Sequence, residues 1–129
     1  MKFYNDSKAT NPVATTTALS GFENNIILVC GGKDRGIDFK ELVPFFPRIK
    51  AMVVVGESKE ILFALASANG VECHRAKKVD DATVFANKLA KSGDIVLLSP
   101  ACASWDQYRC FEDRGDEFIV TFEKISQED

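Results

Sequence analysis

The sequence has 129 residues, 46% of them hydrophobic and 27% charged, with a formal net charge of −3. That length suits one hydrophobic core, and interspersed charges with a slight acidic excess give no electrostatic case for DNA, RNA or an anionic membrane as partner. No apolar run approaches the roughly 20 residues of a membrane span, and the N-terminus lacks the apolar core of a signal peptide.

The chain opens inside a motif. Lys2-Phe3-Tyr4 reads as the end of a strand and Asn5 to Asn11 (NDSKATN) as a polar loop; so abrupt a start at Met1 leads us to expect that the polypeptide continues upstream. Asn11-Pro12 has the pattern of a helix N-cap followed by proline at the first helical position, with a short helix over Val13 to Leu19 closed by Ser20-Gly21. Ile26 to Cys30 is a strand ended by Gly31-Gly32. Phe39, Leu42, Val43 and Phe46 recur at helical spacing, and Met52 to Val55 is a buried strand stopped by Gly56. Ser58 is placed to cap a helix whose apolar face is Ile61, Leu62, Leu65 and Ala68 and which Asn69-Gly70 ends. Val71 to Ala76 is a more polar, edge-like strand. Asp80 or Asp81 opens a helix with Ala82, Phe85, Ala86 and Leu89 on one side, ended by Ser92-Gly93. Asp94 to Leu98 is a buried strand stopped by Ser99-Pro100, and a last helix is predicted from about Asp116 to Ile125. This alternation predicts an α/β fold: a three-layer, Rossmann-like open sheet, mainly parallel, of five to six strands with helices on both faces.

In such a sheet ligands sit outside the carboxyl ends of the strands, which singles out three loops: Asn5 to Asn11, Gly31 to Asp38, and Ser99 to Asp106. Gly31-Gly32-Lys33-Asp34-Arg35-Gly36 is GGxxxG rather than the GxGxxG dinucleotide fingerprint, and no acidic residue closes the next strand, so NAD is not expected. No GxxxxGK[ST] is present to cradle a nucleoside triphosphate. The loops do offer Lys33 and Arg35, with Lys8 and Thr10 from the first: arginine suits bidentate carboxylate recognition and lysine supplies a point charge. Ala101, Cys102, Ala103 and Ser104 are small enough for close approach. A helix starting near Ser104 would present free N–H groups and a hydroxyl to a carboxylate or phosphate, and a tight turn with Ser104 as a plain cap explains the same residues. Trp105, Tyr108 and Phe111 pack over a ligand or anchor the turn; Asp6 accepts from a ribose hydroxyl or closes an Asx turn. Cys30, Cys73, Cys102 and Cys110 lack CxxC spacing and read as reduced, packed thiols of a cytoplasmic protein, without disulfides or a metal site. His74, the one histidine, has no nucleophile beside it and reads as an ordinary strand residue.

Three stretches, in order and spanning nearly the whole chain, resemble one family: NDSKATN from Asn5; GGKDRG from Gly31, with Asp38-Phe39 after it; and LSPACAS from Leu98, continued through Asp106-Gln107, Phe111-Glu112, Arg114-Gly115 and Glu117-Phe118. They are similar to the C-terminal domain of the Mur ligases of peptidoglycan-precursor synthesis, and among these to the D-glutamate-adding branch. The resemblance implies that residues 1–129 form one amino-acid-binding domain of a cytoplasmic, ATP-dependent amide ligase adding D-glutamate to UDP-N-acetylmuramoyl-L-alanine. A UDP-binding domain and a central ATPase domain of the same polypeptide, absent from this chain, would complete it. ATP and Mg2+ would act in the full-length enzyme, where ATP phosphorylates the alanine carboxylate and the amine of D-glutamate attacks the acyl phosphate. This domain alone would hold no catalytic residue, no metal and no tightly bound cofactor. Carried over position by position, Thr10 and Ser104 match polar residues that hold D-glutamate, and Phe111 a position whose main chain meets the side-chain carboxylate. Arg35 stands where some members carry a lysine that contacts glutamate. Asp6 and Lys8 match residues facing the nucleotide, Asp6 toward the ribose and Lys8 toward the phosphates or the reaction intermediate. The implied partners are D-glutamate and the central domain, with no nucleic acid and no membrane. The main rival reading is a free-standing Rossmann-like module that binds a small ligand or regulates; a second keeps the ligase chemistry and changes the amino acid added.

Overall fold

The computed structural model describes residues 2–128, and among these five strands alternate with helices; the expectation drawn from Met1 lies outside them. In chain order they are β1 (Lys2–Asn5), α1 (Pro12–Leu19), β2 (Ile26–Gly31), a 3-10 helix (Lys40–Arg48), β3 (Ile49–Val55), α2 (Lys59–Ala68), β4 (Glu72–Arg75), α3 (Val79–Leu89), β5 (Ile95–Leu98) and α4 (Phe111–Glu128). All the pairings are parallel, in the order β1-β5-β2-β3-β4.

The apolar runs of β2, β3 and β5 are what a parallel sheet covered on both faces demands, because successive side chains point to opposite sides. Leu28, Cys30, Met52 and Val54 join Leu19, Leu42 and Leu62 in one core layer. Ile27, Val29, Val53, Val55, Val96 and Leu98 join Val79, Ala82, Ala86 and Phe118 in the other. Thus α1, the 3-10 helix and α2 cover one face, and α3 and α4 cover the other. The chain steps outward from β2 to β3 and β4, then crosses back to β5 on the far side of β2. At that reversal the loops after β2 and β5 lie side by side at the carboxyl edge of the sheet, where ligands of such folds sit.

Several local readings are corrected. The helical spacing of Phe39 to Phe46 is met by a 3-10 helix, in which Pro44 and Pro47 each remove a donor that an α-helix would use. Ser58 makes no side-chain cap on α2. Helix α3 opens at Val79 with Asp80 and Asp81 in its first turn, where carboxylates oppose the helix dipole, and ends at Leu89, short of Ser92-Gly93. No helix begins near Ser104; the N–H groups of Gln107 and Tyr108 both donate to its carbonyl, at 3.1 and 2.8 Å, and make a turn. Helix α4 starts instead at Phe111, well before Asp116, with Glu112 and Asp113 in its first turn. Among the described residues no helix is long and apolar enough to cross a membrane.

Candidate functional site

The loops after β1, β2, β3 and β5 meet at the carboxyl edge. After β1 the chain turns sharply: the Asp6 N–H donates to the Leu98 carbonyl at 2.7 Å and the Ala9 N–H to the Asp6 carbonyl at 2.9 Å. The Asx turn here belongs to Asn5, whose side-chain oxygen accepts from the Ser7 N–H at 3.1 Å. Asp6 is used otherwise. Its Oδ2 accepts from Ser99 Oγ at 2.8 Å, and Ser99 Oγ lies 3.1 Å from Thr15 Oγ1, whose own proton goes to the Ser99 carbonyl at 3.2 Å.

Beneath this loop lies Arg114, 1% exposed. Its Nε donates to Ser7 Oγ at 2.9 Å, its Nη2 to the Ser7 carbonyl at 2.6 Å and its Nη1 to the Cys102 carbonyl at 2.9 Å. Ser7 Oγ in turn donates to the Phe111 carbonyl at 2.7 Å. Arg114 forms no ion pair among the described residues, and burial pulls its guanidinium down to about 10. One buried cation therefore ties the loop after β1 to the loop after β5 through α4. Sequence reasoning missed this role; the available signal was a cation standing four residues before Phe118, in the apolar stripe of α4.

The small residues after β5 serve backbone approach. A Cβ on Gly32 would stand 2.5 Å from the Ala103 carbonyl oxygen and 2.9 Å from Cys102 Cβ. The same closeness lets the N–H groups of Gly31 and Lys33 donate to the carbonyls of Pro100 and Ala103, each at 2.9 Å. Ser58 Oγ accepts from the Gly32 N–H and donates to the Gly32 carbonyl, both at 3.1 Å, and lies 3.3 Å from Cys102 Sγ. Burial pushes the Cys102 thiol up to about 11; all four cysteines are free. Asp106 Oδ2 accepts from the Glu57 N–H at 2.9 Å, so the loop after β3 is fastened here too. Tyr108 anchors the turn: its hydroxyl donates to Glu117 Oε1 at 2.5 Å and accepts from the Val79 N–H at 3.2 Å. Burial, and then the Glu117 bond, hold its phenol well above the usual value.

The residues singled out for binding fall into neighbouring groups. Thr10 and Arg35 come together: Arg35 Nη2 donates to the Thr10 carbonyl at 3.3 Å, and both line a small recess with Lys33, Ile37, Phe39, Ala101 and Cys102. The two loop cations differ, since Lys33 is paired with Glu57 at 3.1 Å whereas Arg35 forms no ion pair among the described residues. Ser104 is 2% exposed and its Oγ has no hydrogen-bond partner. A buried hydroxyl left so costs about 1–3 kcal/mol, which a ligand oxygen or nitrogen would relieve. Phe111, as the first residue of α4, has an N–H without an intrahelical acceptor. It borders, however, a separate cleft of about 260 Å³ with Lys8, Asn5, Ser7 and Asp116. Asp6 and Lys8 border a third, of about 440 Å³, along Ala14, Thr17 and Ala18 of α1. Among the described residues no three His, Cys, Asp or Glu gather as metal ligands.

Residues 1–102 match the family described as Mur ligase, glutamate ligase domain. Over 118 residues the chain is 57% identical to the UDP-N-acetylmuramoylalanine–D-glutamate ligase of Shouchella clausii, which covers 92% of this chain and 26% of that one. It is 54% identical over 126 residues to the ligase of the same name from Streptococcus thermophilus, covering 97% and 28%. The chain thus spans little more than a quarter of the length of the curated relatives it matches. Among solved structures it is similar to a murein peptide ligase from Psychrobacter arcticus, with a TM-score of 0.60, 18% identity and coverage of 88% of this chain and 26% of that one. A UDP-N-acetylmuramate-alanine ligase from Thermotoga maritima gives 0.55, with 16% identity over 90% and 25%. At such identities these two likenesses speak for the fold alone.

Proposed function

The chain belongs to the Mur ligase family, and from that premise we propose that it forms the single amino-acid-binding third domain of a cytoplasmic, ATP-dependent ligase that joins D-glutamate to UDP-N-acetylmuramoyl-L-alanine. The observation that carries the reading is the pairing of Arg35, a cation without a carboxylate partner, with Thr10 across one recess, together with the unpartnered Ser104 hydroxyl in the adjoining loop. A guanidinium and hydroxyls suit the carboxylates of an acidic amino acid: the fork matches a carboxylate, and each charge-assisted hydrogen bond contributes about 1.5–3 kcal/mol. The Phe111 N–H, at the positive end of α4, also suits a carboxylate, from the separate cleft it shares with Lys8.

Asp6 and Lys8 suit a nucleotide. Asp6 keeps one carboxylate oxygen beyond the bond from Ser99, fit to accept from a ribose hydroxyl, and Lys8 stands exposed between the two larger clefts, fit to meet phosphate. The nucleotide supplies the activation of the acceptor carboxylate, and magnesium falls to the rest of the ligase. This domain's own work is to hold the glutamate amine in line with that carboxylate and, on closing, to shut water away from an activated acyl group that would otherwise hydrolyse. Binding the amino acid on one domain and activating its acceptor on another makes closure the step that brings them together.

The test is steady-state kinetics of the full-length ligase. Ser104→Ala and Arg35→Ala are each expected to raise the KM for D-glutamate by about tenfold or more, the equivalent of one charge-assisted hydrogen bond, while the KM for ATP stays put. Unchanged glutamate kinetics in both variants would remove the assignment. Asp6→Ala is expected to do the reverse, weakening ATP and sparing glutamate.

A further inference from the structure

Arg35 is exposed, on a loop framed by glycines, and a free arginine side chain carries about 2 kcal/mol of rotamer entropy that binding must overcome. Two contacts restrain it. One is the Thr10 carbonyl, 3.3 Å from Nη2. The other is the Trp105 ring, whose centroid lies 5.5 Å from the guanidinium carbon, within the reach of a cation–π attraction. Trp105 directly follows Ser104, is 65% exposed and is the one tryptophan of the sequence. A ring contact consumes none of the five guanidinium N–H donors, and the Thr10 carbonyl takes one, so most of the fork remains for a ligand. The neighbouring cation, Lys33, is already committed to Glu57.

We propose that Trp105 is a positioning residue, which holds the Arg35 guanidinium over the recess shared with Thr10 so that its remaining donors meet a carboxylate of the incoming amino acid. Trp105 need not touch the ligand. It acts by fixing the arginine beforehand, so that less ordering is left for binding to supply. The inference rests on the D-glutamate reading of this site and adds to it a residue that acts through Arg35 rather than by packing over the ligand or anchoring the turn.

A double-mutant cycle in the full-length ligase tests it. Trp105→Ala is expected to raise the D-glutamate KM about two- to fivefold, the size of an exposed cation–π contact, with ATP kinetics and thermal stability unchanged, since the side chain is largely outside the core. Trp105→Phe, which keeps a ring under the cation, should recover most of the loss. In an Arg35→Ala background Trp105→Ala should add nothing; an equal effect with and without Arg35, or no effect in either, overturns the proposal. Fluorine NMR of fluorotryptophan-labelled ligase, with residue 105 assigned by its disappearance in Trp105→Phe, separates this from the parent reading. Its resonance should shift in Arg35→Ala even without ligand. If wild-type enzyme shows no D-glutamate-dependent release of ADP while that shift is present, the substrate is wrong and the contact stands; if the resonance is the same with and without Arg35, the contact is absent and the positioning role falls.

Discussion

Arg114 and Arg35 stand at the same edge of the sheet and are treated in opposite ways. Arg114 is sealed from solvent and satisfied by two carbonyls and a hydroxyl; Arg35 is exposed, with one carbonyl at 3.3 Å and one aromatic ring for company. Around Arg114 the contacts are mutual and close: Ser7, Cys102, Gly32 and Ser58 have little freedom to shift. Around Arg35 the contacts are few and solvent-facing, one main-chain carbonyl and one exposed ring. The lesson is that the floor of this site holds loops in place and the rim leaves donors free, so damage to the floor should be read in stability and damage to the rim, on the function proposed above, in binding.

Gly32→Ala should break the floor most. Its Cβ would press on the Ala103 carbonyl and on Cys102, and both segments are tied by main-chain hydrogen bonds, so neither can yield cheaply. A loss of roughly 3 kcal/mol in denaturant unfolding is expected. Near-wild-type stability would mean that the loop after β5 is looser than its packing indicates. Arg114→Met comes next. It strips donors from Ser7 and Cys102, at about 1–3 kcal/mol for each buried acceptor, yet it also releases a cation whose depressed value of about 10 marks a desolvation cost of roughly 3 kcal/mol. The net expectation is a loss of roughly 2–3 kcal/mol, and Arg114→Lys should fall in between because it keeps a charge without the fork. Arg35→Ala, measured beside them, should melt with the wild type.

The smallest effect sharpens the contrast from the rim side. The hydrogen bond from Lys33, and then the Asp34 N–H, hold the Glu57 carboxyl below the usual carboxylate range. A value lower in the folded state than in the unfolded one gives a contribution that is complete above the ordinary carboxylate range and is lost as pH falls through the depressed value. Because the pair is solvent-facing, Glu57→Gln should melt marginally below wild type at neutral pH, merge with it in acid, and lose the difference in high salt. A gap that survives salt would show that the rim is as rigid as the floor.

The sheet was legible because parallel strands buried on both faces announce themselves as apolar runs: Ile26 to Cys30, Met52 to Val55 and Asp94 to Leu98 each lie within or just beside the observed strand. The start of α4 was not, because Trp105, Tyr108 and Phe111 gave the preceding turn an apolar look, although the acidic pair Glu112-Asp113 was a first-turn signal in plain view. The small residues of SPACAS leave room for close approach, and a second backbone takes it: Gly32 sits against Cys102 and Ala103. Ser58 looked like a cap and is a clamp on Gly32. Arg114 was hidden by the general expectation that charge faces water, which fails where loops must be joined by main-chain acceptors that no apolar side chain can satisfy.

Strand β1 pairs along Lys2 to Asn5 with β5 at Ile95 to Leu98, and it is the outermost strand on that side of the sheet. In synthesis its residues emerge well ahead of their ladder partner, and the loop that closes between them encloses most of the chain. Such a long-range pairing is entropically late. The segment bearing Asp6, Lys8 and Thr10 therefore waits for nearly everything else to fold, and until β1 docks the chain exposes an unpaired edge on β5 to which another copy's strand could add.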